Sequence, residues 1–484
     1  MTVVFSGNSY KYEAEAIVKL FLPAQGFDFI FEAADAPGDV CIIRYKPGKR
    51  LAYHYAYVRM GGRRHRLSET LPMHNADTGA AERTLCRLLY LCLQKVTGMT
   101  PAWGTLTGIR PVKRVNRMLD EGKALPQIEE ELRRDFLVTP EKIQLAYRTA
   151  EVQRPLLRIP ARSFSLYVSI PFCPSRCSYC SFVSHSVESA QKRMPEYLRK
   201  LGEEISLTAQ MARELSLTLD TVYIGGGTPT SLEAEQLEQI MKAVRGEFNL
   251  SALREYTVEA GRADTITPAK LEVIRKNGAD RISVNPQTMN DAVLRAIGRR
   301  HTARQVREAY RAARAAGFAN INMDLIAGLP EDTEESFSLT LDEILELAPE
   351  NITVHTLSLK RSSALFQGKE EVAGNPAQEM VTAAQKRLME NGYDPYYLYR
   401  QKNTLGNLEN VGYSKPGRES LYNVFIMEEV QTILAVGAAG STKLVDSRSG
   451  QIRRVFNYKF PYEYIDRFDL LMKKKKEIRD FYEE

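Results

Sequence analysis

From Ser165 onward the chain alternates short apolar runs with amphipathic stretches, and this alternation limits the fold more than any other feature. Strands are predicted at Leu166–Ile170, Thr221–Ile224, Tyr256–Glu259, Arg281–Val284, Ile321–Ile326 and Ile352–Leu357. The intervening stretches carry helix signals. Leu198, Leu201 and Ile205 keep helical spacing, and Thr267-Pro268 supplies an N-cap and a first-turn proline, with Gly278 as the stop. Thr302 with Gln305 forms a capping box, and Gly317 ends that helix. Six strands, each followed by a helix, imply a parallel sheet with right-handed crossovers. Such a sheet closes fully, as eight units do, or only partly. Either way, ligands meet the carboxyl ends of the strands.

The first hundred residues read differently. Val3–Phe5 and Val40–Tyr45 are predicted strands, and Arg83–Lys95 a leucine-rich helix. Arg59, Arg63, Arg64 and Arg66 surround Gly61-Gly62 in a predicted hairpin, either a solvated turn or a site for an anionic group. Residues 105–155 read as polar helices. At about 150 residues per domain, 484 residues give roughly three domains. The expected boundaries are an N-terminal α+β and helical extension at 1–160, a strand–helix region at 161–365 and a C-terminal α/β extension at 366–484. The Lys473–Lys476 run reads as a solvated helix face.

The apolar fraction of 44% and charged fraction of 26% exclude a fibrous or mostly disordered chain. A net charge of only +6 argues against a dedicated nucleic-acid coat. No run of 18 apolar residues suggests a membrane span, and Lys11, Glu13 and Glu15 interrupt any signal-peptide core, so a cytosolic protein is expected.

Six cysteines are too few for a disulfide framework. Cys41, Cys86 and Cys92 sit in apolar contexts and read as small core residues. Cys173, Cys177 and Cys180 form Cys-x3-Cys-x2-Cys at the end of the first predicted barrel strand. A zinc site with His185 as fourth ligand would have a spacing that fits no common zinc module. An electron-transfer cluster normally takes four cysteines, and no fourth lies nearby. Buried structural thiols would not need so regular a spacing. A [4Fe–4S] cluster held by three thiolates, with one iron open to an exchangeable ligand, fits the pattern.

The cysteine motif followed by Gly225-Gly-Gly-Thr-Pro229 resembles the radical S-adenosylmethionine (SAM) superfamily. Further motifs are Tyr167-x-Ser-Ile-Pro-Phe-Cys173, Tyr223-Ile-Gly-Gly-Gly-Thr-Pro-Thr230, Thr257-Val-Glu-Ala260, Arg281-Ile-Ser-Val-Asn-Pro-Gln287, Ile297-Gly-Arg-Arg-His301 and Asp324-Leu-Ile-Ala-Gly-Leu-Pro330. Together they resemble the oxygen-independent coproporphyrinogen III dehydrogenase (oxidase) family over about Leu166 to Gly440. Trp103-Gly-Thr-Leu-Thr-Gly-Ile-Arg-Pro111 is similar to an N-terminally extended branch.

The resemblance implies a partial (β/α)6 barrel, a [4Fe–4S] cluster on Cys173, Cys177 and Cys180, and SAM bound at the open iron. It implies that Tyr179 packs near the adenine and that Gly226, Gly227 and Thr228 let backbone approach the SAM amino group. Glu259 and Gln287 become SAM contacts, Arg299 a clamp on its carboxylate and Asp324 a ribose acceptor. Tyr167 would touch SAM or substrate and is the catalytic candidate. Blander readings exist: Glu259 could pair with a core arginine, Tyr167 could be core, and Arg299 a surface cation, although neighbouring Arg300 suits that better. His185, His301 and His355 read as ordinary hydrogen-bonded histidines. The implied substrate is a tetrapyrrole with four propionates, which Arg400, Lys402, Lys415 and Arg418 could meet. The implied electron donor is a flavodoxin or ferredoxin.

Two positions depart from the dehydrogenase pattern. Phe182 stands where a fourth cysteine follows, as in the family's haem-chaperone branch, and Ser169 replaces the usual histidine. Three activities are therefore expected in order: decarboxylation of coproporphyrinogen III, haem delivery without decarboxylation, and radical chemistry on RNA or another tetrapyrrole.

Overall fold

The computed structural model describes residues 1–483 apart from 24–25, 32–35, 74–77, 182–184, 360–362, 364, 366–375, 402–403 and 447–448. Phe182 and Lys402 lie outside the described residues. The chain divides into two compact units, Met1–Ala150 with Arg400–Leu408, and Glu151–Tyr399 with Glu409–Glu484. Most of the expected C-terminal extension thus shares a unit with the strand–helix region.

In the first unit, β1 (Thr2–Ser6), β2 (Asp28–Phe31), β3 (Val40–Pro47), β4 (Leu51–Met60) and β5 (Arg63–Pro72) form a sheet ordered β2-β1-β3-β4-β5. The Gly61-Gly62 turn joins β4 to β5, whose register pairs Arg59 with Arg64. Helices Lys11–Phe21 and Thr78–Thr97 supply Ile17, Val18, Leu89 and Leu93 to a core with Val3, Phe5, Cys41 and Val58. Cys41 and Cys92 are fully buried in it, and burial pushes both thiols up to about 12.

The second unit contains β6 (Ser163–Ile170), β7 (Phe172–Cys173), β8 (His185–Ser186), β9 (Thr218–Gly226), β10 (Glu255–Glu259), β11 (Arg281–Ser283), β12 (Asn320–Ala327) and β13 (Asn351–Thr356). Later come β14 (Asp394–Arg400), β15 (Glu409–Ser414), β16 (Thr432–Val436), β17 (Ser441–Val445) and β18 (Ile452–Phe456). The large sheet is ordered β14-β15-β13-β12-β11-β10-β9-β6-β16-β17-β18. β6 and β9–β13 run parallel in sequence order, as the six units of a partial (β/α)6 barrel require. The predicted caps form: Thr267 accepts from Lys270 N, and Thr302 and Gln305 cap Ala303–Ala315 reciprocally.

Two features of this unit were not legible locally. β16 adds a parallel strand beside β6, pairing Thr432 with Phe164. The Lys473–Lys476 run is not uniformly solvated. Lys475 is buried, its Nζ 2.5 Å from Oε1 of the fully buried Glu204 and 2.9 Å from Ala435 O. Tyr464, Asn457 and Gly437 N also donate to Glu204. A buried carboxylate without such partners would be strongly disfavoured, and this requirement brings the lysine inside.

Candidate functional site

The carboxyl ends of β6, β9, β10 and β12 bring most of the expected residues together. Alternation along β6 and β9 turns Tyr167 and Tyr223 to the same interior, where they stack with Tyr422 at ring separations of 6.2, 4.4 and 6.3 Å. The Tyr223 hydroxyl donates to Glu259 Oε1 at 2.5 Å. Burial pushes the Glu259 carboxyl up to about 7. The Tyr223 bond and a Gly226 N–H bond oppose that rise, and the Asp324 charge adds to it. Burial and the neighbouring Glu259 charge also push the Tyr167 hydroxyl up, against a hydrogen bond with Ser169. Ser169 itself donates to Ala438 O at 2.7 Å.

Asp324 accepts from Asn322 Nδ2 at 2.7 Å, and His355 Nε2 lies 3.8 Å from its other oxygen. Burial raises this carboxyl, but the His355 and Asn322 contacts outweigh it and hold Asp324 below its ordinary range. Gln287 joins the same wall through its backbone, which exchanges hydrogen bonds with Asp324 O and Ile326 N. Its φ of +69° is a left-handed conformation unusual for a side-chain-bearing residue.

The glycine run serves close approach. A Cβ at Gly225 would lie 2.8 Å from Tyr223 and 3.1 Å from the Glu259 carboxyl. At Gly227 it would lie 2.5 Å from Phe172 O and 3.0 Å from Cys173 Sγ. The Gly227 and Thr228 amides donate to Ile170 O and Phe172 O, so they pin the cysteine loop. The Thr228 hydroxyl is 3.5 Å from Cys173 Sγ, a contact to the thiol that the expected SAM role did not include.

Arg299 is buried, not a surface cation, whereas Arg300 is exposed. Its Nη1 donates to Gly261 O and Asn285 O at 3.1 and 3.2 Å, and its Nη2 to the Tyr179 hydroxyl at 2.9 Å. Tyr179 is therefore a partner of Arg299. Arg262, also buried, reaches Cys177 Sγ at 3.8 Å.

Of the expected substrate cations, Lys415 and Arg418 lie away from this interior. Arg400 is buried in the first unit, donating to Leu106 O and Asn407 O with its guanidinium 5.6 Å from the Trp103 ring. Lys415 donates to Ala348 O and Arg418 to Asn320 Oδ1. Because β15 runs antiparallel to β13, the residues after it return to the amino ends of the parallel strands, opposite the cysteines. The sequence reading assigns no role to Tyr223, Tyr422 or Arg262, and it takes His355 for an ordinary hydrogen-bonded histidine. The sheet alternation of Tyr223 and His355 was a usable signal; Tyr422 and Arg262 carried none.

Polar groups that find no protein partner remain around these residues: Gln287 Oε1, Arg299 Nε, Asn285 Oδ1 and Ser178 Oγ are all buried. Buried polar atoms ordinarily find partners, so a polar ligand is the expected complement. Three thiols on one loop, a side-chain-free glycine cradle and these donors and acceptors fit a three-cysteine iron–sulfur cluster with SAM beside it. Among the described residues no helix is long and apolar enough to cross a membrane.

Residues 167–344 match the model of the radical SAM superfamily, whose members use a [4Fe–4S] cluster and SAM. The chain is 44% identical over 386 residues to the oxygen-independent coproporphyrinogen-III oxidase-like protein HemZ of Bacillus subtilis, covering 78% of this chain and 77% of that one. It is 30% identical over 299 residues to the heme chaperone HemW of Lactococcus lactis, covering 61% and 73%. The solved coproporphyrinogen III oxidase HemN of Escherichia coli superposes with a TM-score of 0.52 at 25% identity, over 67% of this chain and 73% of that one. Fold, motif order and these similarities agree: the chain belongs to the oxygen-independent coproporphyrinogen III oxidase-like family of radical SAM proteins.

Proposed function

We propose that the protein carries out the oxygen-independent oxidative decarboxylation of coproporphyrinogen III to protoporphyrinogen IX. The observation that carries this reading is the aromatic and acidic interior at the carboxyl ends of β6, β9 and β10, in a chain 44% identical to a protein named coproporphyrinogen-III oxidase-like. Cys173, Cys177 and Cys180 hold the cluster. When bound, the reduced cluster and SAM together supply a radical able to abstract a hydrogen atom. Glu259, Gln287, Arg299 and Asp324 orient SAM, and the Gly225–Gly227 run admits it closely. The partly exposed Tyr167 and Tyr223 rings, backed by the buried Tyr422 ring, offer a flat wall to a macrocycle and keep water from its reacting side chain.

At each reacting propionate, a hydrogen atom leaves the β-carbon. The C–C bond to the carboxylate then breaks, carbon dioxide departs, one electron passes to an acceptor and a vinyl group remains. The electron that reduces the cluster comes from a flavodoxin or ferredoxin.

A second reading, haem delivery without decarboxylation, is supported by Phe182 at the fourth-cysteine position and by the likeness to a protein named heme chaperone. An anaerobic assay separates them. Reconstituted, reduced protein given SAM and coproporphyrinogen III should release 5′-deoxyadenosine, carbon dioxide and protoporphyrinogen IX. 5′-Deoxyadenosine without the decarboxylated product, together with saturable haem binding, would move the assignment to haem delivery.

A further inference from the structure

The three cluster cysteines do not share one environment. Cys177 is the most buried of them, and the guanidinium of Arg262 is aimed at it from the loop after β10. Arg262 Nη1 lies 3.8 Å from Cys177 Sγ, 3.1 Å from Ser175 Oγ and 3.4 Å from Ser175 O. Its opposite edge grips Asp264, with Nε and Nη2 at 3.0 and 2.9 Å from the two carboxylate oxygens. Behind Asp264 stands buried His301, its Nδ1 3.5 Å from Oδ1. The loop is fixed independently: Thr265 donates to Arg262 O and bonds Thr230, and buried Lys270 caps Thr230 O. Arg262 is thus a rigid, desolvated cation with one N–H directed at a thiol and its charge balanced from the far side.

Charges in contact inside a protein act at a low effective dielectric. Adding one electron to an iron–sulfur cluster makes its thiolate sulfurs more negative. A donor to one of those sulfurs therefore favours the reduced state and raises the potential. The paired carboxylate of Asp264 works in the opposite sense, by lowering the positive potential that Arg262 presents.

Resting on the assignment of Cys177 to the cluster, we propose that Arg262 and Asp264 are positioning residues that set the reduction potential of the iron–sulfur cluster, Arg262 raising it and Asp264 limiting the rise. The cluster gains one electron from an external reductant, and neither residue changes its covalent state.

The test is a potentiometric titration of the full-length, reconstituted protein, followed by the paramagnetic resonance signal of the reduced cluster. R262Q should lower the midpoint by about a tenfold change in the reduction equilibrium, about 59 mV for one electron. D264N should raise it. Opposite signs from the two halves of one ion pair would not arise from loosened packing. Equal midpoints in all three proteins, or shifts of the same sign, would overturn the proposal. Iron and sulfide content are measured alongside. If R262Q fails to retain a cluster, the sign of the D264N shift decides alone. An unmodified protein that assembles no cluster would instead defeat the assignment of the cysteines.

Discussion

The Tyr223 hydroxyl and the Glu259 carboxylate meet at 2.5 Å over Gly225, one residue beyond the Val258–Ile224 pair of neighbouring parallel strands. A side chain at Gly225 would occupy the space in which they meet. The pair is a partly buried acidic contact whose carboxyl titrates above the ordinary carboxylate range.

Glu259 has a folded-state pKa of about 7, above the ordinary carboxylate value, chiefly through burial. The native state holds its proton where the unfolded state has lost it. This group's contribution to stability is therefore present below about pH 4 and is lost as pH rises towards 7. E259Q should consequently be more stable than the parent at pH 8, by about 3 kcal/mol, with little difference near pH 4.5. Thermal unfolding of both proteins at the two pH values checks this; an equal gain at both would show that charge is not the cause.

G225A should weaken SAM binding while leaving the secondary structure intact. Its Cβ would sit 2.8 Å from Tyr223 and 3.1 Å from Glu259, so one of the two must move. Overpacking of this kind costs about 1–3 kcal/mol, and tenfold or greater loss of affinity is expected. Calorimetric titration of reconstituted protein with SAM measures it.

C177A should retain no iron–sulfide chromophore after reconstitution, because a cluster ligated by three thiolates loses one of them and the loop's buried anchor. Iron and sulfide analysis provides the readout. Full iron retention together with SAM cleavage would displace Cys177 from the ligand set.

K475M leaves the carboxylate of Glu204 buried with hydrogen bonds but no cation. Breaking one side of such a pair costs about 3–5 kcal/mol. The double variant K475M/E204Q should recover much of that loss, since the uncompensated charge is gone. Urea unfolding of the two variants against the parent gives the comparison.

Much of this protein was legible before any coordinates. The six strand segments, the helix between Thr302 and Gly317 and the cysteine loop are readable from patterns within a few residues along the chain, such as the Thr302–Gln305 reciprocal cap. Side-chain alternation in a strand likewise places Tyr167 and Glu259 on the inside once the strands are known. Charge runs were less readable. Of the cations that read as solvent- or substrate-facing, Arg400 is buried against backbone carbonyls, Arg418 is exposed and Lys475 is paired inside.

By itself the sequence determined the repeated strand–helix order, the spacing of three thiols and the glycine cradle beside them, because each depends on residues close along the chain. Only the tertiary structure decided which distant groups complete the site. Arg262 reaches Cys177 across 85 residues, and Ser165 bonds Gln431 across 266 as β16 closes on β6. Whether a cation faces water, a carbonyl, a carboxylate or a sulfur depends on what the fold packs against it, and the cost of burying an unpaired charge selects among them only after the chain has folded.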